Sequence, residues 1–302
     1  MALAPFVAAA TVFLASGAVL MLEILVVRLL APYVGLTMET TTSIIGAVLA
    51  GIALGAWVGG TAADRTDPRR LVVGLLIGGG LLALLTVPIV RALGPGARGH
   101  GNLAALGVTL ASLVPSAAVL SAISPTVARL QLRDLGASGT TVGRLSAFAT
   151  AGALVGTFGT GFVIVPLMPV STAVLVIGLS LAAAGLVLGA YLRVLNRPAA
   201  AATLVAIFGL ALLSATRDSP CDADTSYHCA RIEADPSVAS GRLLVLDGTY
   251  NSFVDVEHPA NIAFPYTQWI ARAVDTTAPQ GKALDAVFVG GGGFTLPRWL
   301  IK

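Results

Sequence analysis

Seven stretches of this chain are each apolar for about the 20 residues that cross a bilayer. They are Phe6–Val27, Thr41–Thr61, Leu71–Val90, Leu103–Ile123, Leu145–Leu167, Ser171–Leu192 and Ala199–Ser214, the last being the shortest. In hydrocarbon a single chain segment satisfies its own backbone donors and acceptors only as a helix. Residues 1–216 are therefore expected to form a mainly α-helical, multi-pass membrane bundle of about seven spans. Composition agrees: 56% of the residues are hydrophobic and 11% charged, against roughly a quarter charged in soluble domains. The net charge of +3 is spread as arginines between the apolar runs, with no basic patch of the kind that binds nucleic acid.

Small residues recur at intervals of four within the runs: Gly51, Gly55 and Gly59, then Gly74 and Gly78, then Gly152 and Gly156. That spacing places them on one helix face, where backbones can approach closely and pack. Glu23 is the ionisable residue well inside a span, and Arg28 follows near enough to the helix end to snorkel. A carboxyl group at that depth is costly, so Glu23 is expected to face the bundle interior. Its role is either proton or cation handling or that of an interfacial residue. The first basic residue is Arg28, so no positively charged leader of a cleavable signal peptide precedes the first apolar run.

After Arg217 the pattern becomes that of ordinary soluble sequence. Tyr227–Glu233, Arg242–Leu246 and Thr249–Val256 read as the strands of an antiparallel meander, residues 217–260, with Asp247-Gly248 as the hairpin turn. Tyr266–Val274 reads as an amphipathic helix with Trp269, Ile270 and Ala273 on one side. Ala286–Val289, β-branched and aromatic, reads as a buried parallel strand halted by Gly290, Gly291, Gly292 and Gly293. In doubly wound α/β folds such a turn passes close to a nucleotide-like ligand; a glycine loop without ligand is the alternative. Residues 261–302 are thus expected to be an incomplete start of an α/β nucleoside-binding domain. Cys221 and Cys229 are too few for a disulfide scaffold and lack the spacing of a zinc site.

Taken in order, Ser226-Tyr227, Arg231-Ile232, Leu244-Val245-Leu246-Asp247-Gly248, Tyr266, and Gly290-Gly291-Gly292 with Arg298 resemble the polyamine aminopropyltransferases, or spermidine synthases. Ser124-Pro125-Thr126-Val127, Gly143-Arg144-Leu145-Ser146-Ala147 and Gly156-Thr157-Phe158-Gly159-Thr160-Gly161-Phe162 are similar to segments of the multi-span domain fused to such enzymes in many bacteria. The resemblance implies a methyltransferase-like α/β fold and aminopropyl transfer from decarboxylated S-adenosylmethionine, as co-substrate, to a diamine. It implies a nucleoside over Gly290, Gly291 and Gly292, with Tyr266, Asn251 and His228 near the pocket. The acidic residues that receive the amine's proton lie in the family mostly beyond the glycine turn, so this stretch is expected to be inactive by itself. Asn251 and His228 stand where the family has glutamines, Gly293 where it has an aspartate, and Trp299 where it has a glutamate.

The loop Gly60–Arg70 also resembles the second loop of major facilitator transporters, which typically have twelve spans. The competing expectation is accordingly a transporter-like or scaffold membrane protein with a tail that senses a nucleoside or polyamine. The expected partners are the lipid bilayer, a small polyamine and nucleoside, and, left open, a second copy of the chain. The tail's side is contested. If Arg65, Arg69 and Arg70 are cytoplasmic, so are Arg129, Arg133, Arg144, Arg193 and Arg197, and seven spans deliver the tail to the outer face. There Cys221 and Cys229 could form a disulfide, as an oxidising compartment allows. A nucleoside sulfonium donor instead argues for a cytosolic tail and an even number of spans.

Overall fold

The computed structural model describes residues 3–99, 101–132, 138–216, 219–225, 227–278 and 284–301. Arg133 and Ser226, which figured in the readings above, lie outside the described residues. The chain divides into two compact units, Met1–Ser219 and Pro220–Lys302. The meander and the glycine run, expected as separate parts, fall within the second.

The first unit is helical: α1 Pro5–Val34, α2 Met38–Arg65, α3 Pro68–Ala97, α4 Gly101–Ser112, α5 Val114–Ser121, α6 Ile123–Gln131 and α7 Ser138–Gly159. A π-helical turn, Thr160–Ile164, carries α7 into α8, Val165–Leu167, and α9 Val170–Tyr191 and α10 Arg197–Thr216 follow. Among the described residues six helices are long and apolar enough to cross a membrane, or seven if a bent pair is one span. That pair, α4 with α5–α6, bends by 46° where Pro115 opens α5. Proline has no N–H to give to the preceding turn and its ring crowds the carbonyl there. The helices outrun the expected spans because their polar flanks continue the helical hydrogen bonding.

Contacts at both ends show that α4–α6 runs the full length of α2. Glu39, at the start of α2, accepts from Asn102 Nδ2 at 2.6 Å; Asp64, near its end, pairs with Arg129 of α6 at 3.2 Å. Between them the glycines expected on one face of α2 are all seated on this partner. A Cβ at Gly51 would meet Val114, one at Gly55 the carbonyl of Ala118, and one at Gly59 Ala122. Gly152 and Gly156 likewise seat α7 against Phe13 and Gly17 of α1. On α3 the expectation fails. Gly74 has no neighbour and Gly78 only an ordinary contact, while Gly79 and Gly80 meet Leu120 and the Gly178–Ala182 turn of α9. Spacing marks a small face, but the neighbouring helices decide which turn of it they touch.

Matched positions give directions. α1 and α7 run parallel, since residues 13 and 17 meet 152 and 156; α3 and α9 run antiparallel, since 73 and 84 meet 189 and 178. Ser214, near the end of α10, bonds the carbonyl of Leu84 on α3. Glu23 is partly buried on α1, next to the fully buried Leu22.

In the second unit four antiparallel strands lie in the order β1 Ala223–Asp224, β2 Cys229–Ala234, β3 Gly241–Leu246 and β4 Thr249–Asp255. This is the expected meander. Asp247 and Gly248 both take positive φ, 50° and 83°, which matches the right-handed twist of the strands they join. Leu243, Val245 and Phe253 are the small core of its covered face. Helix α11 spans Pro265–Thr277 and α12 spans Thr295–Leu300.

One expectation is overturned here. Ala286–Val289 is not a strand, and Val287 and Val289 are 91% and 99% exposed. A parallel strand is buried by neighbours on both edges and faces, and the sheet formed here is antiparallel and built from β1–β4. The expected helix over Tyr266–Val274 is present as α11, with Thr267 and Ala271 buried and Trp269, Ile270 and Ala273 on its exposed side.

Candidate functional site

Strand β4 organises the residues of interest. Its pairing with β3 slips between Leu244↔Ser252 and Val245↔Tyr250, which leaves Asn251 as the extra residue of a β-bulge. A bulge bends its strand and re-aims the side chains beside it. The Asn251 amide folds back onto the carbonyl of Thr249, and its own carbonyl accepts from the Tyr266 hydroxyl at 3.5 Å.

The glycine run is strapped to the next residues of the same strand. Gly293 N–H donates to Ser252 Oγ at 2.9 Å, Thr295 Oγ1 donates to the Phe253 carbonyl, and Arg298 Nη2 donates to the Val256 carbonyl at 2.8 Å. Gly290 and Gly292 take positive φ, 77° and 50°, as a tight turn without side chains permits. A Cβ at Gly292 would stand 3.2 Å from Ser252. Asn251, Tyr266 and the Gly290–Gly292 turn are therefore gathered about one stretch of β4. Ser252 and Thr295, both buried, hold that arrangement and escaped the sequence reading.

His228 is held at the β3–β4 turn. Its Nδ1 lies 2.5 Å from Asp247 Oδ2, while Asp247 Oδ1 accepts from the Cys229 N–H at 2.9 Å. Asp247 thus does more than set the turn. With Nδ1 engaged, the remaining imidazole nitrogen is the one left for a ligand or a proton. Cys229 is bonded to Cys221, closing an eight-residue separation with Cα atoms 5.2 Å apart.

Four carboxylates of this unit, Asp222, Asp235, Asp247 and Asp255, accept from its own backbone. Asp255 is 3% exposed. It accepts from Asn261 Nδ2, Ser240 Oγ and the N–H groups of His258 and Glu257. Those bonds, Asn261's and then Ser240's foremost, hold its carboxyl well below the usual range against the opposing effect of burial. Asp235 is held low by the Ser237 hydroxyl, then by the N–H groups of Ser237 and Val238. Asp222 accepts from Ile232 N–H at 2.8 Å, and Glu233 pairs with Arg231 at 2.7 Å. Tyr227 and Tyr266 are not core aromatics, being 60% and 47% exposed. No family description, no curated protein and no solved structure matches this chain.

Proposed function

We propose that this chain is a multi-pass membrane protein whose carboxy-terminal unit lies on the arginine-poor side of the bilayer and binds a small nucleoside or polyamine without turning it over. The observation that carries the placement is the hydrogen bond from Arg91 Nη1 to the Ser214 carbonyl, 3.0 Å. It ties the end of α10 to the far end of α3, away from Arg65, Arg69 and Arg70. With seven crossings Arg129, Arg133, Arg144, Arg193 and Arg197 share the side of those three, while Arg28, Arg91 and Arg98 share the tail's side. The positive-inside bias then makes the tail's side the outer one. The Cys221–Cys229 disulfide suits such a compartment.

Two observations favour binding over catalysis. Aminopropyl transfer needs a carboxylate to hold the cationic amine and take its proton. Here Asp222, Asp235, Asp247 and Asp255 each accept a backbone N–H instead. A cytosolic sulfonium donor would also be absent from the outer face. What supports a nucleoside or polyamine ligand is the positive-φ turn at Gly290 and Gly292 beside Asn251 and Tyr266, together with the resemblance those residues carry.

The test uses the full chain in detergent with two measurements. 5′-Methylthioadenosine or spermidine should raise its thermal stability, and Tyr266→Ala should remove the effect. Decarboxylated S-adenosylmethionine with putrescine should give no product above a detergent blank. Turnover would restore the enzymatic reading; binding of neither ligand would overturn both.

A further inference from the structure

The seam between α1 and α7 ends at one side in a cation with no ion-pair partner among the described residues, and runs on as an apolar groove. We propose that it binds one anionic diacyl phospholipid of the arginine-rich leaflet, headgroup at Arg144 and acyl chain along α1; this rests on the membrane reading above. The two helices touch through glycine, so that a Cβ at Gly152 would stand 2.2 Å from the Phe13 carbonyl. With the backbones this close, the larger side chains are left to wall a channel beside the contact.

Two hollows follow one another along it. The first, about 420 Å³, is lined by Phe6, Ala10, Phe13 and Phe148, with Arg144 at its rim. The second, about 350 Å³, begins at the same Phe13 and continues past Met21 and Val155 to Ile164 of the π-helical turn. From Pro5 to Met21 the path rises about 24 Å along the helix, more than the ~15 Å of one hydrocarbon leaflet. An acyl chain fits that length and that lining. A small hollow of about 90 Å³ at the same end adds Gln131 and Thr141 beside Arg144.

Charge decides the headgroup. Arg129 is paired with Asp64 at 3.2 Å, whereas among the described residues Arg144 has no ion-pair partner. Arg144 belongs to the arginine-rich side, where anionic lipids gather and where basic pockets between helices take their phosphates. A zwitterionic lipid offers the same chains but cancels the attraction.

The experiment exchanges the purified full chain into nanodiscs of equal parts phosphatidylglycerol and phosphatidylcholine, then counts retained lipids by native mass spectrometry after release. The expected result is one phosphatidylglycerol retained in preference to phosphatidylcholine. Arg144→Gln should cut that preference about fivefold, the worth of one basic residue near an anionic surface, and Arg197→Gln should leave it unchanged. Ala10→Trp, which fills the groove and keeps the charge, should abolish retention of either lipid. Equal retention of the two lipids, or loss caused equally by Arg197→Gln, would overturn the site. Recovery of the chain in the soluble fraction after alkaline washing of membranes would instead overturn the membrane reading itself.

Discussion

Arg91 on α3 donates from Nη1 to the main-chain carbonyl of Ser214 on α10 at 3.0 Å. A helix end leaves its last carbonyls without partners, and a guanidinium from a neighbouring helix satisfies one of them here. Ser214 Oγ reinforces the contact through the Leu84 carbonyl at 3.2 Å. The last helix is thereby registered against the bundle. Three further consequences of the packing can be measured.

Gly55 should not tolerate alanine although helices favour it. An exposed helical Gly→Ala gains about 1 kcal/mol, yet a Cβ at Gly55 would lie 2.0 Å from the Ala118 carbonyl and 2.5 Å from Ser121 Oγ. Overpacking should win and cost about 1–3 kcal/mol, seen as a lower unfolding temperature in detergent. Gly74→Ala, where nothing lies within 4 Å, should leave stability unchanged or raise it. Equal effects at the two sites would contradict the packing of α2 on α4–α6.

Gly293→Asp would bring back the residue of the family that this chain resembles, and should damage the turn. The new Cβ would stand 2.5 Å from Val254 Cγ2 and 3.0 Å from Ser252 Oγ. The Gly293 N–H to Ser252 bond would have to lengthen. Fluorescence of Trp269 and Trp299 in a Trp57→Phe background reports this unit alone; its unfolding midpoint should fall. A gain in stability or in ligand affinity would mean that the turn can open to hold an aspartate.

The second unit should weaken in acid through Asp255. Its carboxyl titrates lower folded than unfolded, first because of Asn261 and then Ser240. A depressed carboxylate stabilises the fold above its unfolded value, near 3.9, and that stabilisation is lost as pH falls through the folded value. Asp255→Asn should therefore lower the same fluorescence midpoint at pH 7. The gap from the parent should narrow below about pH 4. A gap that stays constant with pH would remove the charge from the argument.

How much of this was legible in advance depended on how local each requirement is. The long apolar helices could be read because length and composition alone decide them, and the Asp247-Gly248 hairpin because it needs only two residues able to take positive φ. The bend at Pro115 was visible as a residue but lay inside a run read as one span. Non-local requirements were opaque. Ala286–Val289 has the composition of a buried strand, but a strand exists only through its neighbours. Trp269 and Ile270 form an apolar stripe, yet α11 turns Thr267 and Ala271 inward instead. Of the expected binding residues, Asn251, Tyr266 and the glycine turn converge on β4, while His228 belongs with Asp247 at the hairpin. Nothing in the sequence alone showed the four donors around Asp255.

The most direct test of the account asks which side of the membrane carries Cys221 and Cys229, the two cysteines of the chain. Intact cells are treated with a membrane-impermeant maleimide, with and without prior reduction by an impermeant phosphine. The account predicts no labelling without reductant and labelling of both thiols after it, with no need to permeabilise the cells. Labelling that requires permeabilisation but no reductant would place free thiols inside. That result would contradict the seven crossings, the disulfide-closed outer unit and the binding role built on them.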